Sequence, residues 1–302
     1  MTSLNRFDLN LLRIFEAIYA EGGVSGASRK LSLSQPAVSH SLARLREAFD
    51  DPLFVRHGNA FVPTAVSRAK IAEVGAILRR IDVALAVGEH FDPLASTRTF
   101  RIGLRPPSEA YALPLLFREL QRDAPGVSLA SVYFSRTGMP RALAVGALDL
   151  AIDIDLATSP GTNLKTLGAA PPVLVARRDH PLIGDTVSLD QYLAVDHVFV
   201  SPRAAGLGME DAALARIGHR RRIRMRCQHA FTAWQLVGES DLVCTLPRYY
   251  AAAFEGTGTH RLLPLPFDVP ARPLSLYWHD TSAADPGAVW LRRFVAATLG
   301  AA

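Results

Sequence analysis

Cysteine is almost missing from this chain: Cys227 and Cys244 are the only two in 302 residues. They provide no disulfide framework, and no His, Cys, Asp or Glu set with metal-ligand spacing accompanies them. This fits a reducing cytoplasm and calls for no cofactor or metal. Long apolar runs are missing too, and nothing approaches the ~18 residues that a membrane span requires. The opening MTSLNRFDLNLLRIFEAI is interrupted by Arg6, Asp8, Arg13 and Glu16, so it does not read as a signal segment. There is no G-x-S-x-G elbow, no G-x-G-x-x-G after a strand, no P-loop and no H-E-x-x-H, which argues against several enzyme classes. Excess charge is small: 33 basic against 28 acidic residues, net +5. Residues 1–92 hold 11 basic and 10 acidic side chains, so global charge is neutral evidence on nucleic acid. Apolar residues make up 49% and charged ones 20%, a globular chain with ample core and room for two domains.

What is present is organised around VSGASRKLSLSQPAVSHSLARLREAF, residues 24–49. This stretch reads as two short helices and a tight turn. Ser25 is expected to cap the first, and Leu31-Ser32-Leu33 makes the turn. Ser34 caps the second, with Pro36 in its first turn, where a missing N–H costs nothing. Val38, Leu42, Leu45 and Phe49 follow an i, i+4, i+7, i+11 rhythm and form one buried stripe. The outward side carries Gln35, Pro36, Ser39, His40, Ala43, Arg44, Arg46 and Glu47. Such short, polar and cationic residues suit a helix that enters a major groove, touching base edges with Gln and Ser and phosphates with Arg. An ordinary helical hairpin is the plainer reading, and the flanking segments decide against it. Leu9, Leu12, Phe15 and Tyr19 give an apolar helix ahead, started at Asp8 and ended by Gly22-Gly23. Behind, Leu53-Phe54-Val55 and Ala60-Phe61-Val62 form a hairpin around Gly58-Asn59, with Arg56 and His57 at its tip. That hairpin reads as a wing, with Arg56 on phosphate or in the minor groove.

Pro63-Thr64 starts a long helix to about Glu89. Ile71, Val74, Ile77, Leu78, Ile81 and Leu85 form an apolar stripe over nearly 40 Å at ~1.5 Å per residue. A second copy of the same helix is its simplest partner, and twofold DNA sites would match such a dimer.

The segment FDLNLLRIFEAIYAEGGVSGASRKLSLSQPAVSHSLARLREAFDDPLFVRHGNAFVPT resembles the N-terminal domain of LysR-type transcriptional regulators over most of residues 7–64. His40 is a departure, since many members carry Arg there. From Thr99 onward, strands alternate with helices, the pattern of a doubly wound α/β domain whose ligands bind at strand carboxyl ends. FRIGL, LPLLFREL, ALDLAI and DHPL resemble the periplasmic-binding-protein-like effector domain of the same family. YWHDTSAADPGAVWLRRF is similar to its nodulation and aromatic-acid-responsive branch.

Together these readings give an α+β multidomain chain. Residues 1–63 form a winged helix-turn-helix and 64–90 a linker, dimerisation helix. Residues 91–302 form an effector-binding domain, with subdomain I about 98–170 and 268–302 and subdomain II about 171–267. DNA contacts are expected at Ser25, Ser34, Gln35, Pro36, Ser39, His40, Arg44, Arg46 and Arg56.

Effector contacts are expected at Arg105, Pro107, Ser108, Tyr111, Ser201, Leu207 and His229. Arg105 stands where the family often has Ser or Thr; it either pairs with a carboxylate or points to solvent. Ser108 caps the helix after the first strand. By resemblance, Tyr111 is a pocket aromatic and His229 faces the effector. Leu207 replaces a His that aromatic-acid sensors can carry, which leaves an aromatic or small carboxylate in general. The Arg-rich HRRRIRMR reads as a strand with a cationic face. The resemblance further implies a homodimer, a homotetramer, contact with RNA polymerase, and an effector that alters the DNA bend. The alternative is a cytoplasmic small-molecule-binding protein without DNA activity.

Overall fold

Local signals start and stop the first helices of the computed structural model, which describes residues 7–57, 60–85, 90–154, 156–201, 206–254 and 258–300. The chain separates into two units, residues 1–90 with 141–148, and residues 91–140 with 149–302.

In the first unit, α1 (Asn10–Glu21) begins beside Asp8, whose carboxylate accepts the Asn10 amide at 3.0 Å. It ends at Gly22, whose φ of 66° is the left-handed stop that glycine tolerates. Helix α2 (Val24–Leu31) starts one residue earlier than expected, with Gly23 at its N-cap. Ser25 is therefore not the cap. The Gly22-Gly23 turn already points the chain into the helix, and Ser25 lies in its first turn, its carbonyl accepting the Ser28 hydroxyl. Helix α3 (Gln35–Phe49) opens under Ser34, whose Oγ accepts the Ala37 amide at 3.3 Å. Strands β1 (Phe54–His57) and β2 (Ala60–Pro63) pair antiparallel, with Phe54 opposite Pro63 and His57 opposite Ala60. The turn read at Gly58-Asn59 lies outside the described residues.

Helix α4 (Ala65–Leu85) follows, capped by Thr64, whose Oγ1 accepts the Ser67 amide at 3.1 Å. Residues 86–89, the expected last turn, lie outside the described residues, as does the side chain of Leu85. Phe15, Ile18, Val38, Leu42, Leu45, Leu53, Phe54 and Val74 form the core of this unit, with Ile71 and Leu78 packed on its rim. Ile77 remains 46% exposed.

The second unit holds two five-stranded sheets. The first is built from β3 (Thr99–Gly103), β4 (Ser128–Val132), β5 (Leu150–Ile154), β6 (Thr162–Ala170) and the late β12 (Arg272–His279). Helices α5 (Pro106–Asp123) and α11 (Pro286–Gly300) belong to the same stretches of chain, whereas α6 (Met139–Ala144) runs into the 141–148 segment of the first unit. The second sheet is built from β7 (Pro172–Arg177), β8 (Asp196–Val200), β9 (Arg222–Cys227), β10 (Val243–Pro247) and β11 (His260–Pro264). Its helices are α7 (Leu189–Ala194), α8 (Met209–Arg216), α9 (Ala230–Gly238) and α10 (Arg248–Phe254).

The strand orders are β4-β3-β5-β12-β6 and β11-β7-β10-β8-β9. Strand β3 runs parallel to β4 and β5, and β8 runs parallel to β9 and β10, as βαβ crossovers dictate. The sheets are not wholly parallel, however. Strand β12 is antiparallel to β5 and β6, and β7 is antiparallel to β10 and β11. Each is the first strand after the chain passes from one sheet to the other, with no intervening helix to restore its direction. Val173 and Val175 on one face of β7, and Leu174 and Ala176 on the other, are all buried because helices cover both sides. No helix among the described residues is long and apolar enough to cross a membrane.

Candidate nucleic-acid interface and ligand cleft

Burying Val38, Leu42 and Leu45 against α1 leaves the other side of α3 in solvent. Gln35, Pro36, Ser39, His40, Arg44 and Arg46 are all exposed there, and Ser25 is exposed on α2. Their engagements differ. The Ser34 hydroxyl is occupied by the Ala37 amide. Arg44 Nη1 lies 3.2 Å from Asp8 Oδ2. The Asn10 amide and then Arg44 hold that carboxyl below its usual range.

Arg46 donates from Nε to the Pro52 carbonyl at 2.8 Å and from Nη2 to the Phe54 carbonyl at 3.2 Å. It therefore braces the base of the hairpin, a role that helical periodicity did not suggest. Arg56 is exposed on β1, opposite Phe61. Between the end of α3 and β1 runs an open groove of about 560 Å³, bordered by Arg46, Asp50 and Arg56. Gln35, Ser39 and His40 thus present amide, hydroxyl and imidazole groups from one helix face. Arg56 presents a guanidinium from a neighbouring strand.

The second unit gathers its polar groups where strands end. Arg105 stands at the N-cap position of α5 without capping it, its guanidinium 5.7 Å from the centre of the Tyr133 ring. Among the described residues it has no carboxylate within ion-pair distance. Pro107 lies in the first turn of α5, and its side chain lies outside the described residues. Ser108 is not the expected cap: α5 begins at Pro106, so Ser108 lies inside its first turn, buried, with its Oγ 3.3 Å from the Tyr250 hydroxyl. Tyr111, one turn further, packs 5.5 Å from the Tyr249 ring. Tyr249 and Tyr250 meet edge to face at 4.4 Å. The Tyr249 hydroxyl is buried beside Tyr250 and makes no well-formed hydrogen bond among the described residues. Burial pushes Tyr111, Tyr249 and Tyr250 above the ordinary phenol range, so all three are neutral donors.

The carboxyl end of β10 thus leads into α10, which carries Tyr249 and Tyr250, and Ser108 follows the carboxyl end of β3. Their contact joins the carboxyl edges of the two sheets. Ser201 is buried, its amide donating to the Cys227 carbonyl at 2.8 Å, and it ends β8 on this same edge. His229 stands exposed at the N-cap of α9 after β9, without capping it. Leu207 is 66% exposed, and residues 202–205 of its loop lie outside the described residues. Arg226 donates to the Gly206 carbonyl at 3.0 Å, and its guanidinium lies over the Phe199 ring.

Helix α10, which carries both tyrosines, is not among the elements that the sequence predicts. The signal was present in RYYAAAF, a short apolar helix directly after the strand LVCTLP. Asp153 is likewise unassigned from the sequence. This buried carboxylate makes a two-pronged pair with Arg136, both contacts at 2.8 Å. A carboxylate inside the apolar strand LDLAIDI demands such a partner. Among the described residues no His, Cys, Asp and Glu group is arranged to hold a metal.

The chain matches two family models, the LysR substrate binding domain over residues 95–300 and the bacterial regulatory helix-turn-helix protein of the lysR family over residues 9–68. It is 33% identical to the transcriptional activator NagR of a Ralstonia species, over 96% of either chain. It is 32% identical to the transcriptional activator NahR of Pseudomonas putida, over 97% of either chain. Among solved structures, PA0477 from Pseudomonas aeruginosa, described as a probable transcriptional regulator, superposes with a TM-score of 0.76 at 36% identity, covering 97% of each chain.

Proposed function

This chain belongs to the lysR family of bacterial helix-turn-helix regulators, and from that membership we propose how its residues divide the work of a DNA-binding transcriptional regulator with an effector-binding domain. Its family is one of regulators and not of enzymes. Gln35, Ser39 and His40 read base edges from the major groove, and Arg56 neutralises phosphate from the wing. Ser25, Ser34 and Pro36 set the approach of that helix, and Arg44 adds a second cation at its flank.

The effector lies between the carboxyl edges of the two sheets. The observation that carries this is the contact of Ser108 with Tyr250, which brings both edges to one point lined with phenol rings. Neutral phenol and serine hydroxyls donate hydrogen bonds, and Tyr111 and Tyr249 offer aromatic faces. Arg105, with no carboxylate partner among the described residues, offers a guanidinium at the mouth. That set fits a planar aromatic or small carboxylate, with Ser201, Leu207, Pro107 and His229 around it.

The protein acts in the cytoplasm as a homodimer through α4, and effector domains pair further into a tetramer that contacts RNA polymerase. Ile77 supports the dimer, since Ile71, Val74 and Leu78 are taken up by the protein's own core and Ile77 is not. Effector binding changes the angle between the two sheets and so the DNA bend.

The test is a footprint on the DNA upstream of its own gene, with and without a panel of aromatic and aliphatic carboxylates. A long protected region whose bend relaxes with one compound is the expected result. Protection that no compound alters would remove the carboxylate cleft and leave the DNA assignment standing.

A further inference from the structure

Between the end of α3 and the start of α4 the chain makes a hairpin, and hydrogen bonds gather at its base. Leu53 is fully buried with a φ of 58°, a left-handed conformation that a leucine rarely adopts. It is held there from three sides. Asp51 Oδ1 accepts the Leu53 amide and the Thr64 hydroxyl, each at 2.7 Å. The Leu53 carbonyl accepts the Thr64 amide at 2.9 Å and the hydroxyl of fully buried Ser67. Arg46, in the last turn of α3, grips the carbonyls on either side of Leu53, those of Pro52 and Phe54. Thr64 also caps α4 through the Ser67 amide.

Recognition helix, strained Leu53 and linker-helix N-terminus therefore form one hydrogen-bonded clasp, and the hairpin loops out from it. A conformation this unfavourable persists only where its surroundings over-determine it. Arg46 and Ser67 belong to the two helices and Asp51 and Thr64 to the residues beside their ends, the Asp51 amide donating to the Arg46 carbonyl at 3.2 Å, so the bonds around Leu53 bear on the angle between α3 and α4.

We propose that Asp51, Thr64 and Ser67 are positioning residues that lock α3 at a fixed angle to α4 through Leu53, and so set the spacing of DNA half-sites the dimer accepts. The proposal rests on α3 and the hairpin being the DNA-contacting elements. None of the three residues needs to touch DNA. Their loss leaves the reading face of α3 intact while its placement relative to the dimer helix broadens.

The test uses full-length protein and duplexes that it selects from a random-sequence library. Affinity is measured for an isolated half-site and for paired half-sites whose spacer is changed one base pair at a time. Asp51→Ala is expected to keep half-site affinity within about twofold. Its preference for the selected spacing over neighbouring ones should fall about tenfold, a change of ~1.4 kcal/mol in discrimination. Ser67→Ala, which removes one bond to the Leu53 carbonyl, should show the same change in smaller measure and stands in if Asp51→Ala does not melt cooperatively. A parallel loss on half-sites and paired sites, with discrimination unchanged, would overturn the proposal, as would no change in either. Gln35→Ala and Arg56→Ala, run beside these, report separately on the DNA-contact reading. If neither alters half-site affinity, that reading fails on its own.

Discussion

The hydroxyls of Ser108 and Tyr250 lie 3.3 Å apart although 142 positions separate them in the chain. Ser108 follows a strand of one sheet and Tyr250 follows a strand of the other, so this contact bridges the cleft. Under the proposed cleft, Tyr250 would be one of the donors to the effector. Tyr250→Phe removes one neutral donor and keeps the ring. The expected result is about tenfold weaker binding of the responding carboxylate, near the upper range of ~0.5–1.5 kcal/mol for a neutral hydrogen bond. Calorimetric titration with the compound found by footprinting measures this. DNA affinity without compound should not move, and unaltered compound affinity would remove Tyr250 from the cleft.

Gln35 and Arg56 separate two kinds of DNA contact. Arg56→Ala is expected to weaken binding to all sequences alike and to lower the salt slope by about 1, as a phosphate contact does. Gln35→Ala should cost ~1–3 kcal/mol on the selected sequence and little on random DNA. Fluorescence anisotropy across a salt series reads both. The assignment fails if the two variants behave the same way.

Ile77 tests the dimer. It is 46% exposed on a helix whose Ile71, Val74 and Leu78 already face the core of their own unit. Ile77→Glu should leave the melting temperature nearly unchanged, since no core contact is lost. It should raise the dimer dissociation constant at least about tenfold, because a charge cannot enter an apolar helix pair without a partner. Sedimentation equilibrium measures the outcome. A dimer of native strength would place the subunit contact elsewhere.

His197 predicts an acid dependence. It is fully buried, donating from Nε2 to the Tyr192 carbonyl at 2.8 Å, with Arg221, Asp211 and Asp196 nearby. Burial, joined by the Arg221 charge, pulls it down to about 4. The folded chain therefore holds it neutral, whereas an unfolded imidazole takes a proton near pH 6.5. Its contribution is complete above about pH 6.5 and is lost as pH falls toward 4, with a slope of up to ~1.4 kcal/mol per pH unit. Paired carboxylates such as Asp211 and Asp285, held below their usual range, add their own losses only at lower pH. His197→Gln keeps a donor for the carbonyl and should flatten urea-measured stability between pH 6.5 and 4. An unchanged slope would assign the acid sensitivity to other groups.

Asp153 is the fifth test. Asp153→Ala leaves Arg136 without its two-pronged partner in a part-buried site. Breaking such a pair from one side costs ~3–5 kcal/mol where it is buried. The exposed portion of Arg136 puts the expectation at the lower end, as a loss of stability of the second unit by urea titration. Loss below ~1 kcal/mol would mean that water solvates the freed guanidinium.

Much of this was legible in the residue order, because short-range periodicity and caps decide a helix locally. Ser34 with Pro36, the stripe Val38–Leu42–Leu45, and the glycine that stops α1 all follow from neighbours within a turn or two. They were enough to identify the helix-turn-helix and the alternation of strands and helices behind it. Tertiary structure decided everything that depends on partners far apart in sequence. Arg46 looked like one more outward cation until the fold placed the carbonyls of Pro52 and Phe54 in its reach. Asp153 acquired Arg136, and Ser108 acquired Tyr250, across separations that no periodic pattern encodes. The left-handed Leu53 is the sharpest case. Backbone preference argues against it, and the folded chain keeps it where core packing and the bonds from Asp51, Thr64 and Ser67 come together.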